Sequence, residues 1–223
     1  GLNCLAGDQF VTGGNNVAIG DGAMYADGGA ALSGSNNVAI GSAAGRRMTT
    51  ASNNVLLGTQ AGNSANPFSG SDNVGIGRSV FLNVTGAADN VAIGRVSLNK
   101  LTSGSFNVAL GVGTLQNILA GGQCVAIGTN ALAANTASDQ VAIGAAALSS
   151  STIGLNNTGV GRSALSSSTV ANDNTALGFN AGASTNGSGN TAIGSNAYAF
   201  ATSGTRNTAV GASSLGNANV TGS

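Results

Sequence analysis

Short apolar blocks of alternating size recur along the chain, each preceded by a polar residue and closed by a glycine. Asn16-Val17-Ala18-Ile19-Gly20 returns as Asn37-Val38-Ala39-Ile40-Gly41, Asn90-Val91-Ala92-Ile93-Gly94 and Asn207-Thr208-Ala209-Val210-Gly211. The closing glycines are Gly20, Gly41, Gly58, Gly77, Gly94, Gly111, Gly128, Gly144, Gly161, Gly178, Gly194 and Gly211, with steps of 21, 17, 19, 17, 17, 17, 16, 17, 17, 16 and 17 residues. The period is about 17, and Gly1 fits one step earlier. A helical repeat is disfavoured, because Gly and Asn return every few residues where a helix interior tolerates neither well.

With that glycine as slot zero, slot −1 is aliphatic, slot −2 is Ala or Gly except at Leu56, and slot −3 is Val or Thr. These three residues predict a short strand whose slots −3 and −1 share one face while the small residue occupies the other. Slot −4 holds Asn16, Asn37, Asn54, Asn73, Asn90, Asn107, Asn157, Asn174, Asn190 and Asn207, and departs only at Cys124 and Gln140. Slot −7 is Gly or Ala throughout. Asn tolerates the left-handed conformation and Gly takes positive φ without a Cβ clash, so slots −7 to −4 predict a turn. Slot +4 is Leu in many repeats, as at Leu98, Leu132 and Leu165, and reads as a second inward anchor. Length variation is confined to one loop, between slot +4 and slot −8 of the next repeat.

A unit of this length cannot bury a face alone, so successive units must stack with slot-matched residues in columns. The expected fold is all-β: a parallel β-solenoid, or β-roll, of about 12 coils with a period near 17 residues, running as one array over residues 1–223. Aliphatic columns are expected to supply the burial. The Ala/Gly column from Ala18 to Ala209 would let the backbones of adjacent subunits approach closely; alternatively it fills a narrow interior. The chain opens on a slot-zero glycine and stops at Val220-Thr221-Gly222-Ser223, part way through a coil, so these residues are expected to form a segment of a longer fibre protein, or to have their ends covered by neighbouring subunits.

Composition narrows the function. Charged residues make up 6% of the chain against about 25% in ordinary domains, and seven Lys and Arg balance seven Asp. Without a basic stripe, nucleic acid is not an expected partner. Without an apolar run of about 18 residues, this segment is not expected to insert in a membrane. The chain has no His and no Glu, which removes the usual general base and the commonest metal ligand, so no enzyme activity, cofactor or metal site is expected.

The Asn-(Val/Thr)-Ala-Ile-Gly block, followed by a small residue, Leu and a Thr/Ser-Gly turn, resembles the head repeats of YadA-like trimeric autotransporter adhesins. It is also similar to expanded repeats of bacteriophage tail fibres. The resemblance covers essentially the whole chain, although the adhesin heads use a shorter repeat. It implies a parallel three-chain β-roll, extracellular on a cell surface or in a virion tail fibre. Its implied role is attachment, with the chain itself as homotrimer partner and a host-surface glycan or protein as receptor. A purely structural spacer shaft is the alternative, with a glycan depolymerase or an ice-binding solenoid behind it.

Candidate binding residues fall in two groups. Three longer loops, residues 6–12, 25–33 and 63–69, carry Phe10, Tyr25 and Phe68, and stacked coils would place them on one side as a patch for sugar rings or a receptor pocket. The competing reading folds these aromatics back over their own loops. Arg78 and Arg95, at slot +1 of neighbouring coils with Arg162 further along, could grip an acidic glycan or remain solvated surface charge. Asp72 and Asp89 share a slot in adjacent coils, at a spacing compatible with a carboxylate pair, but turn formation explains them better. Thr158, Thr175, Thr191 and Thr208 form a column too short to argue ice binding. Cys4 and Cys124, six coils apart, cannot pair and read as packing residues.

Overall fold

The structure, a computed structural model, describes residues 12–25, 31–200 and 203–216. It contains twelve three-residue strands, all paired in parallel, and no helix among the described residues. The chain forms two compact units, Gly1–Gly113 with Leu119–Gly121, and Thr114–Ile118 with Gly122–Ser223. The first carries β1 (Val17–Ile19), β2 (Val38–Ile40), β3 (Val55–Leu57), β4 (Val74–Ile76), β5 (Val91–Ile93) and β6 (Val108–Leu110). The second carries β7 (Val125–Ile127), β8 (Val141–Ile143), β9 (Thr158–Val160), β10 (Thr175–Leu177), β11 (Thr191–Ile193) and β12 (Thr208–Val210).

Register follows the repeat slot for slot in both units. In the first, Val74, Gly75 and Ile76 lie beside Val91, Ala92 and Ile93. In the second, Val125, Ala126 and Ile127 lie beside Val141, Ala142 and Ile143. Each coil therefore adds one strand to a parallel β-solenoid, as the period predicts.

The interior reverses the expected faces. The slot −2 column points inward: Ala39, Ala92, Ala126, Ala142 and Ala176 are fully buried. The slot −1 aliphatics point outward, with Ile93 40% exposed and Ile19 55%. The cause is the narrow coil. Slot +4 sends Leu98, Leu115, Leu132 and Leu148 into the lumen opposite the strand, leaving room only for a methyl group or less at slot −2.

Steric complementarity across the lumen supports this. A Cβ added to Gly75 would lie 2.8 Å from Cδ2 of Phe81, which holds slot +4 of that coil. Leu56, the one large residue at slot −2, meets glycines at slot +4 instead: a Cβ on Gly62 would lie 2.6 Å from Leu56 Cδ1, and one on Gly45 3.5 Å from the same atom. Large and small residues trade places while the filled volume is conserved.

Tight bends require left-handed backbone at slots −5, +2 and +4, as at Asp89 (φ 57°), Val96 (φ 54°) and Leu98 (φ 46°). The Asn of slot −4 is absent from these positions, so the turn residue is the preceding one, where Asn15, Asn36, Asn53, Asp72 and Asp139 stand. Asn and Asp adopt this conformation at least cost among non-glycine residues. Slot zero is more demanding: Gly94 has φ 130°, and a Cβ there would lie 2.3 Å from the Gly111 carbonyl oxygen. The small residue at slot −7 serves close approach rather than positive φ, since a Cβ on Gly70 would lie 1.9 Å from the Ala87 oxygen.

Candidate functional site

Three hydrogen-bond ladders build the corner that precedes each strand. At slot −6, the backbone N–H of one coil donates to a serine of the next: Ser35 N–H to Ser52 Oγ (3.1 Å) and Ser52 N–H to Ser71 Oγ (3.0 Å). At slot −5, exposed side chains link in sequence, Asn36 Nδ2 to Asn53 Oδ1 (3.3 Å) and Asn53 Nδ2 to Asp72 Oδ1 (3.0 Å). At slot −4 the ladder is buried. Asn90 Oδ1 accepts from both the backbone N–H and Nδ2 of Asn107, each at 3.0 Å, while Asn90 Nδ2 donates to Asn73 Oδ1 (3.0 Å) and the Gly104 carbonyl (3.0 Å). That carbonyl belongs to slot −7, so the asparagine satisfies the oxygen that the turn leaves inside.

The two exceptions keep the same bond. Cys124 Sγ donates to the slot −7 carbonyl of Ala137 (3.5 Å), and Gln140 Nε2 reaches that of Gly154. Asn135 fills the space, donating from Nδ2 to the Ala137 carbonyl (2.8 Å) and accepting from Gln140 Nε2 (3.0 Å). Burial pushes the Cys124 thiol up to about 11, so at neutral pH it is a protonated packing residue, as its slot suggested.

These ladders give the slot −4 asparagines of the repeat a hydrogen-bonding role. Asp72 and Asp89 are exposed corner residues with φ near 60°, which fits their turn role. Among the described residues no three Cys or Asp cluster as metal ligands would.

The candidate binding residues separate. Phe10 lies outside the described residues. Phe68 is fully buried, with its backbone paired to Met48, so it packs beneath its loop and is unavailable to a ligand. Arg78 and Arg95 stand exposed on adjacent coils. Tyr25 is half-buried, its carbonyl accepting from Arg47 N–H (3.0 Å) and its ring lying 5.9 Å from the Arg46 guanidinium.

That contact leads to a site missed in the sequence. Arg46 and Arg47 line an open cleft of about 340 Å³ together with Asn63, Ser64, Leu82 and Asn83. The cleft uses slots +5 and +6 of three successive coils, where the loops diverge. The available signal was that Arg46-Arg47 is the sole pair of adjacent charged residues in the sequence.

The outward strand face is the other exposed feature. Slots −3 and −1 present Val17, Ile19, Ile40, Ile76 and Ile93 in the first unit, and Ile143, Leu177, Ile193 and Val210 in the second, all more than a third exposed in the single chain, with Val210 at 65%. Thr158, Thr175, Thr191 and Thr208 share this face at slot −3. Among the described residues, no helix is long and apolar enough to cross a membrane. In comparisons with known proteins, no family model, curated sequence or solved structure matches the chain.

Proposed function

We propose that this chain is a non-enzymatic segment of a homotrimeric extracellular fibre that attaches its owner to a host cell or surface, as an adhesin head or a tail fibre does. The observation that supports it is the apolar strand face. An ordered ladder of Val, Ile and Leu side chains repeats coil after coil and is solvated in the isolated chain. Contiguous exposed apolar surface marks interaction sites, and symmetric copies of one chain are its commonest cover. Here each coil offers the same two side chains at the same height, so identical chains can match along the ladder. The number three comes from the resemblance to trimeric adhesin heads. The interface assigned to the Ala/Gly column moves accordingly to the Val/Ile face, because that column is filled within each chain.

The reading is tested by sedimentation of the chain and of Ile93→Asp/Ile143→Asp, together with adhesion of the labelled protein to panels of bacterial and animal cells. A trimer that dissociates in the double variant and binds a subset of cells supports it. A stable monomer at micromolar concentration overturns the fibre assembly, and a trimer that adheres to nothing leaves the spacer shaft.

A further inference from the structure

We infer that the Arg46–Arg47 cleft binds a carboxylate-bearing saccharide of one or two rings. The inference rests on the attachment reading and gives it a place and a chemistry. The cleft is contained within the first unit and holds two of the seven cationic side chains of a sparsely charged protein. At about 340 Å³ it sits at the lower end of the roughly 300–1,000 Å³ range of small-molecule sites, which suits a short sugar rather than a protein segment.

Its lining sorts by function. Guanidinium groups match carboxylates through paired, parallel N–H···O bonds. The Asn63 and Asn83 amides and the Ser64 hydroxyl carry the mixed donors and acceptors that sugar hydroxyls require. Leu82 offers a small apolar wall for the C–H face of a ring.

The framework is held independently of any ligand. Arg47 has φ 63° and is clamped by its backbone: its N–H donates to Tyr25 and its carbonyl accepts from Phe68 N–H (2.8 Å). Its Nη1 donates to the Ala65 carbonyl, which tethers the 63–69 loop. Asn66 N–H donates to Ser64 Oγ (3.2 Å), and Asn83 Nδ2 donates to the Asn99 carbonyl (3.1 Å). The backbones of Tyr25 and Phe68 thus hold Arg47 from the coils on either side of it.

The test is NMR titration of the intact chain with 3′-sialyllactose and with digalacturonic acid, using lactose and inorganic phosphate as comparators. The expected result is millimolar Kd for both acidic sugars and no saturable shift with lactose. Affinity should weaken several-fold between 50 and 300 mM salt through screening. Arg46→Gln should weaken binding at least tenfold, Arg46→Lys several-fold through loss of the planar fork, and Lys100→Gln not at all. Thermal melts of these variants within a degree or two of the parent would show that the fold is retained. Lactose binding as well as the acids, phosphate binding as tightly as the sugars, no binding, or an unaffected Arg46→Gln would each overturn the proposal. Sedimentation and cell adhesion are read separately, so a trimer that adheres to cells yet ignores carboxylated sugars sinks this inference and spares the proposed function.

Discussion

Replacing Asn90 with Ala removes one rung from the buried asparagine ladder. The Asn107 backbone N–H loses its acceptor, the Oδ1 of Asn90 at 3.0 Å, and the Gly104 carbonyl loses its side-chain donor. Asn107 Nδ2 keeps the Gly121 carbonyl, and Asn73 Oδ1 keeps the backbone N–H of residue 90. Two buried polar groups each lose a hydrogen bond, at about 1–3 kcal/mol apiece, for a total loss of about 2–6 kcal/mol. Asn53→Gly is the matched control. It removes two exposed bonds, to Asn36 and Asp72, yet retains a residue at ease with φ 60°, and should cost no more than about 0.5 kcal/mol. Urea unfolding followed by circular dichroism measures both, and amide exchange at Asn107 localises the effect. A loss under about 1 kcal/mol for Asn90→Ala, or equal losses for the two variants, would refute the claim that the inner ladder holds the coils together.

Gly94→Ala forces a Cβ to within 2.3 Å of a carbonyl at φ 130°, and a loss of at least about 3 kcal/mol is expected in the same assay. Leu56→Ala should cost about 2–5 kcal/mol, and adding Gly62→Leu, which restores the common Ala and Leu arrangement, should recover at least half of it. In a Cys4→Ser background, Cys124 should resist alkylation at pH 8 until urea is added. Its raised pKa also makes the folded state hold a proton that the unfolded chain releases earlier. The stability of the parent relative to Cys124→Ala should thus be constant below pH 9 and fall, by about 2 kcal/mol, as pH rises from about 9 through 11.

The repeat made the fold legible because each slot recurs often enough for its tolerance to show. Strand position, parallel register and the Leu anchor at slot +4 could all be placed from spacing alone. Period two also grouped slots −3 and −1 correctly, yet it says nothing about which face is inside. Apolar character pointed to the aliphatic pair, while the answer depended on lumen width, which the Leu98 column sets from across the coil. Asn90 showed the same limit. Its residue type suggested left-handed backbone, but Asp89 takes that conformation and Asn90 serves as a hydrogen-bonding rung, a role visible only once coils are stacked. The cleft was harder still, because Arg46, Asn63 and Asn83 come from three coils and from the least regular part of the repeat. Phe68 stands out in the sequence as a rare aromatic in a long loop, and neither feature carries information on burial.

The proposed fibre assembly requires identical chains to cover the outward Val/Ile face. Spin labels on Ile143→Cys and, separately, on Ser138→Cys at the opposite side of the corner, each in a Cys4→Ser/Cys124→Ser background, measure it directly by pulsed electron resonance. Short interchain distances from residue 143, with clearly longer ones from residue 138, are predicted. Equal distances from the two positions, or no interchain coupling from either, would contradict it.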